Sequence, residues 1–180
     1  MKQQQEETAR SKQKEQARTV SRLFAKHGID LSLVEAGRTL YQSFIQAKDR
    51  TKKDPYYIKK GIKFNFNKKP SLALIEVING DIAFWQGWFK QQAIFDKTGL
   101  EDDRPTLHRL DPDGHYEFGN IGALPWGEHK QEHAVPLLII DTDNLTINSY
   151  ESITKMVDAE GIKQHKIDAV RASKKDAEKE

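Results

Sequence analysis

The chain has 180 residues, no cysteine and a formal net charge of +2, with 31% of its residues charged. That length suits one domain, or one with a small appendage. The absence of cysteine excludes disulfides and thiolate-held zinc, and no apolar run is long enough for a bilayer span or a signal core. The sequence therefore reads as a soluble, cytoplasmic protein with no membrane partner.

The small net charge hides a strong asymmetry. Residues 1–69 carry 17 Lys and Arg against 7 Asp and Glu, whereas residues 70–160 carry 6 against 16. A basic block suits a polyanion such as nucleic acid, and it also suits plain solvated helix surface.

Met1 to Arg18 holds almost nothing apolar and reads as a disordered arm or a solvated helix extension. Val20, Leu23, Phe24 and His27 form a helical stripe ending at Gly28, a natural C-cap. Leu31, Leu33 and Val34 begin a short turn. Arg38 to Arg50 reads as an amphipathic helix through Leu40, Tyr41, Phe44, Ile45 and Ala47. Residues 1–37 are thus expected to form a basic helical arm ahead of a domain over 38–135. Arg50 to Pro55 reads as a basic loop. Tyr56 and Tyr57 then precede Lys59, Lys60 and Lys63, and with Arg50, Lys52 and Lys53 this interleaving can grip phosphates and sugars. A structural aromatic turn with solvated lysines gives the same pattern. Ile62 to Phe66 alternates as a strand would, and Leu72 to Ile78 is apolar enough for a buried helix or strand. Asp81 caps a helix carrying Phe84, Trp85, Trp88, Phe89 and Phe95, a natural core. Lys97 to Pro105 is an acidic loop.

The chemistry concentrates between Thr106 and Val135, which hold four of the six histidines. Thr106 to Leu110 reads as a strand, Asp111-Pro-Asp-Gly114 as a turn, Phe118 to Leu124 as a second strand, and the pattern turns helical from Pro125. His129 and His133 are four apart and share a helix face, where two imidazoles can hold one metal ion. A solvated pair has the same spacing. His108, ending the first strand, is the nearest third ligand. Three imidazoles favour a transition metal over Mg²⁺.

The order strand, turn, strand, helix, with His108, Asn120 and His129, resembles the ββα-metal motif of the HNH (His-Me finger) endonucleases. In that family a His or Asp ends the first strand, an Asn follows in the loop or second strand, and a His or Asn comes nine residues later on the helix. A further His four residues on, as in the colicin-type DNases, is matched by His133. Upstream, Asp54-Pro-Tyr-Tyr-Ile-Lys-Lys-Gly-Ile62, Trp85 and Trp88, His108-Arg-Leu-Asp111 and Gly114-His-Tyr-Glu-Phe-Gly-Asn120 resemble phage-encoded HNH proteins. The likeness covers roughly Leu40 to Val135.

The resemblance implies an α+β fold with a ββα-metal nuclease core and cleavage of double-stranded DNA. It implies one divalent ion (Mg, Mn, Ni, Co or Zn) on His108, His129 and His133, and catalytic roles for His108, Arg109, Asn120 and His129. Many relatives carry a His general base where this chain has Arg109. A guanidinium accepts no proton, so Arg109 is expected to clamp a phosphate, with His115 or His108 a candidate base. The alternative is a non-catalytic DNA-binding protein on a degenerate HNH scaffold. A structural zinc or nickel protein is a third reading, which the basic first third opposes.

Beyond the motif, Pro136 to Ile140 and Leu145 to Ile147 read as a hairpin around Asp141 to Asn144. Ser152 caps a helix to Ala159, Gly161 breaks it, and Lys163 to Ala172 makes another. The pair resembles a helix-turn-helix, with Lys163 and Lys166 toward DNA, in a small module over 136–180. Plain packing of two helices reads the same way.

Overall fold

The computed structural model describes residues 2–132, 134, 136–141 and 143–161. The elements in order are α1 (Lys2–His27), α2 (Val34–Lys53), α3 (Pro55–Lys59), α4 (Pro70–Gly80), α5 (Ile82–Thr98), β1 (Pro105–Arg109), β2 (Ile121–Pro125), α6 (Trp126–Glu132), β3 (Leu137–Asp141), β4 (Thr146–Tyr150) and α7 (Ile153–Glu160). Short 3-10 turns lie at Leu31–Leu33 and Glu101–Asp103. Helix and sheet are mixed, and the two small sheets are antiparallel hairpins, β1 with β2 and β3 with β4. The chain divides into two compact units, residues 1–129 and 130–180.

In the first unit, α1 stops where Gly28 takes a positive φ of 67° and Ile29 N donates to Phe24 O at 2.9 Å. The expected arm over 1–37 is an integral part of this unit. Val20 and Phe24 are fully buried in one core with Leu40, Phe44, Ala73, Leu74, Val77 and Trp88. Burying two large side chains of α1 ties it to α2 and α4, which an exposed arm could not match.

Asp81 joins α4 to α5. Its backbone N–H closes α4, and its Oδ1 accepts from Phe84 N at 3.0 Å to open α5. α5 buries Phe84, Trp85 and Trp88 and packs against α2, β1 and β2. Trp88 Nε1 donates to Ala36 O at 3.0 Å, so the largest core side chain leaves no polar atom unsatisfied. The aromatic helix does underlie the hairpin that carries His108.

Two local expectations are corrected, and one that was open between helix and strand is decided. Arg50, Lys52 and Lys53 lie on the last turn of α2, not in a loop. The helix ends only at Asp54, where Pro55 disfavours a helical residue before it and Asp54 caps α3 by accepting from Tyr56 N at 2.9 Å. Ile62 to Phe66 is not a strand. Its alternation is real, with Ile62 and Phe66 buried and Lys63 and Asn65 exposed. Its neighbour is a loop, however, so only the Phe64–Tyr116 bridge forms. Leu72 to Ile78 is helical, started by Pro70 at the first helical position.

In the second unit, β3 and β4 pair with Ile140 opposite Ile147, and Leu145 in the turn has a positive φ of 54°. Ser152 Oγ accepts from Lys155 N at 3.2 Å to open α7, and Gly161 ends it at φ 63°. Met156 on α7 is buried, and Tyr150 on β4 donates to Glu160. The expected second helix from Lys163, with Lys163 and Lys166, lies outside the described residues. Among the described residues no helix is long and apolar enough to cross a membrane.

Gly37 marks where α1 meets α2. A Cβ there would lie 2.4 Å from the Phe24 ring and 2.8 Å from a Val20 methyl. Alanine normally strengthens a helix by about 1 kcal/mol over glycine, but overpacking a closed core costs about 1–3 kcal/mol. Gly37→Ala is therefore expected to lower the denaturant midpoint at unchanged slope. A raised midpoint would show that α1 is not seated on α2 in this way.

Candidate metal centre

The hairpin register sets the centre. His108 lies opposite Gly122 and Arg109 opposite Ile121. Thr106 Oγ1 donates to Leu124 O at 2.8 Å, reinforcing the ladder. β2 ends at Pro125 and α6 begins at the next residue, as the helix signals after Pro125 lead one to expect. The entry to α6 is held twice. Trp126 N donates to Arg104 O at 2.8 Å, and the Arg104 guanidinium lies 5.2 Å from the Trp126 ring centre.

This junction brings the His129 ring to 5.4 Å from His108, edge to face, with Trp126 stacked on His129 at 5.7 Å. Glu132 sits three residues further along α6, on the same helix face. One ligand atom each from His108, His129 and Glu132 falls within a 4.8 Å group. The histidines are half-buried and Glu132 is exposed. Two imidazole nitrogens and one carboxylate oxygen suit a divalent transition ion such as zinc, and three protein donors leave a position for water or substrate. The group can hold a metal ion.

Sequence reasoning missed Glu132. Its signal was available, a carboxylate at i+3 from His129, but the histidine at i+4 masked it. His133, expected as the third ligand, lies outside the described residues.

Asn120 lies one residue before β2 and laces the loop that precedes it. Its Oδ1 accepts from Asp111 N at 2.6 Å, and its Nδ2 donates to His115 O at 2.7 Å and to Asp111 O at 3.3 Å. Gly114 is required here, since a Cβ would sit 2.5 Å from Asn120 Nδ2. Asp111 Oδ1 is taken up by the turn, accepting from Asp113 N at 2.9 Å. Asp111, expected as an extra oxygen ligand or an orienting group, is outside the ligand cluster.

Arg109 is not a surface clamp. Adjacent strand residues face opposite ways, so when His108 meets α6, Arg109 turns toward α3. It is only 9% exposed. Its Nη1 donates to Gly114 O at 2.8 Å, and its guanidinium lies 5.0 Å from the Tyr57 ring centre and 5.2 Å from that of Tyr116. A buried cation is tolerated when a carbonyl and two aromatic faces take up its field. Arg109 thus fixes the Asp111–Gly114 turn from behind.

The two phenols meet at 3.2 Å. Burial, then the bond to Tyr57, pushes Tyr116 up to about 12. Burial raises Tyr57 too, but its bond to Tyr116 and the guanidiniums of Arg50 and Arg109 outweigh it, and the net direction is down.

His115 Nδ1 accepts from Lys63 N at 3.4 Å. This contact ties His115 to the segment after α3.

The basic residues expected to meet nucleic acid fare unequally. Lys53 pairs with Asp49 at 3.0 Å, and Lys60 pairs with Asp113 and covers the Tyr56 ring. Tyr57 is half-buried under Arg109, and Arg50 leans on Tyr57. Tyr56, Lys52 and Lys59 are exposed.

Comparison of the chain with protein families, with characterised proteins and with solved structures finds no match.

Arg109→Ala is expected to cost about 2–3 kcal/mol, since it removes a charge-assisted hydrogen bond and two cation–ring contacts. Arg109→Lys restores only part, because an ammonium lacks the planar fork. Denaturant titration of the three proteins measures this, and an unchanged Ala midpoint would contradict the buried placement.

Tyr116 also predicts a pH dependence. Its folded value lies above the ordinary 10.0, so its stabilising contribution is full below that pH and is lost as pH rises through about 12. Spectroscopic titration should show one late phenol step that Tyr116→Phe deletes. If the variant keeps every step, the assignment is wrong.

Proposed function

We propose that this protein is a divalent-metal-dependent DNA endonuclease of the HNH type. The observation that carries the reading is the convergence of His108, His129 and Glu132 on a hairpin-and-helix junction. The Asn120-laced loop beside β1 gives it support, because Asn120 stands at the nine-residue spacing from His129 that the resemblance requires.

His108, His129 and Glu132 would hold the ion, which when bound supplies Lewis-acid neutralisation of phosphate charge. The protein must do the rest. Asn120 and Arg109 keep the loop between the strands rigid, so the scissile phosphate meets a fixed wall. Arg109 does this through Gly114 and is a positioning residue, with no direct contact to substrate. The stacked Trp126 fixes the His129 ring plane and narrows the approach of water from that side. Arg109 accepts no proton. In an alternative assignment His129 and Glu132 hold the ion by themselves, and His108, which comes from the strand, is free to accept the proton of the attacking water.

A second reading keeps DNA binding without cleavage. The specific observation behind it is Arg109, buried where relatives with a His base would present that base.

Plasmid incubated with protein and Mg²⁺, Mn²⁺, Co²⁺, Ni²⁺ or Zn²⁺ separates the two. We expect cleavage with at least one ion, and a loss of more than about 100-fold in His129→Ala and Glu132→Gln, each with weakened metal binding by calorimetry. In His108→Ala, lost cleavage with retained metal affinity marks a base, whereas lost affinity marks a ligand. Wild-type protein inert with every ion would leave the binding reading standing.

A further inference from the structure

The cations best placed for a polyanion are not those that the Tyr-Tyr-Lys-Lys pattern singles out. A cleft of about 370 Å³ opens between the last turns of α2 and the extended segment after α3. Lys48 and Lys52 line it from α2, Lys63 and Lys68 from the segment, with Ile62 and Phe64 behind them. No acidic residue lines it. Lys48 donates to Lys68 O, which ties the two walls together. Among the described residues no carboxylate forms an ion pair with Lys52, Lys63 or Lys68, whereas Lys53 and Lys60 close by are both paired. Asp49, already paired with Lys53, relieves Lys52 and Lys48 only in part, so the ammonium groups around this concavity repel each other. An apolar wall behind them focuses their field outward and raises the local concentration of anions.

We propose that this cleft is the track for the phosphodiester backbone of duplex DNA. A line of point charges on flexible stems suits evenly spaced phosphates without reading sequence. The backbone of the cleft also reaches the candidate centre. Lys63 O accepts from Tyr116 N at 2.9 Å, and Asn65 N donates to Tyr116 O at 2.8 Å. Tyr116 follows His115, whose carbonyl Asn120 holds. The segment that grips DNA on one side therefore braces the metal-centre loop on the other. The choice of DNA rests on the endonuclease reading; the cleft itself does not.

The test measures binding without catalysis. Labelled duplex DNA is titrated with protein in EDTA across a range of salt concentrations and followed by fluorescence anisotropy. The variant Lys52→Gln/Lys63→Gln/Lys68→Gln leaves Lys48 in its bond and alters only exposed side chains. The control Lys12→Gln/Lys14→Gln/Lys26→Gln removes the same charge from exposed positions of α1. Three lost phosphate contacts make the slope of log K against log salt shallower by about 2.7, and at moderate salt lower affinity on the order of 100-fold. We expect this in the cleft variant and a near wild-type slope in the control. Equal loss in both would reduce the effect to net charge and overturn the proposal, as would an unchanged slope in the cleft variant. Inorganic tripolyphosphate serves as a second ligand: if the cleft variant loses its binding but keeps the DNA slope, the cleft takes small polyphosphates and the DNA track is wrong. Because no metal is present, an inert metal centre leaves this outcome untouched.

Discussion

The placement of one buried guanidinium governs the centre. Arg109 on β1 ties the Tyr57 ring of α3, far upstream, to the Gly114 carbonyl and the Tyr116 ring of the loop that follows β1. A strand puts neighbours on opposite faces, so the same pleat that buries Arg109 presents His108 to α6. The candidate ligand and its support are adjacent residues of one strand. With its partner ring on α6 5.4 Å away, His108 is positioned by the firm anchoring of the next residue.

On the proposed endonuclease reading, an arginine rather than a general base at position 109 is intelligible on physical grounds. A base at this position must reach solvent and keep a free lone pair. Arg109 does neither, and the aromatic pair around it is suited to a cation: neutral rings with electron-rich faces, and a Tyr116 phenol held protonated to about 12. A deprotonated phenol there would pull the guanidinium away from Gly114. The raised Tyr116 value and the loop geometry are two expressions of the same packing.

The elements with local causes were legible in the sequence. Gly28 and Gly161 end helices because only a left-handed residue closes them cheaply, Asp81 and Ser152 open helices through their side-chain oxygens, and the Asp111–Gly114 turn separates two strands as its residues dictate. What was not legible depended on partners. The alternation from Ile62 to Phe66 records which side chains face inward, and no pattern within five residues can say whether a strand lies alongside. The basic residues Arg50 to Lys53 read as a loop because charge obscured the continuing turn of α2. Of the candidate centre, His108, Asn120 and His129 were legible through spacing. Glu132 was not, because a carboxylate on an exposed helix is ordinary until a strand histidine is folded against it. The face on which Arg109 points was equally hidden, though strand alternation alone could have separated it from His108.

The charge asymmetry takes a different meaning once folded. Basic residues crowd the first 69 positions, yet much of that charge is spent locally, as Lys53 on Asp49, Lys60 on Asp113 and Arg38 on Glu35. Such exposed pairs add little stability, but they cancel the field that a distant polyanion would feel. What remains is set by the cations outside such pairs, and those of the cleft lie on residues 48 to 68, ahead of the acidic sequence that builds the candidate metal centre. A negative polymer approaching this protein is attracted by the lysines and repelled by the carboxylates of residues 101–117, so its path is steered along the boundary of the two. On the proposed reading, an ion held by His108, His129 and Glu132 would reverse the sign of that boundary locally, since its two positive charges exceed the one carboxylate.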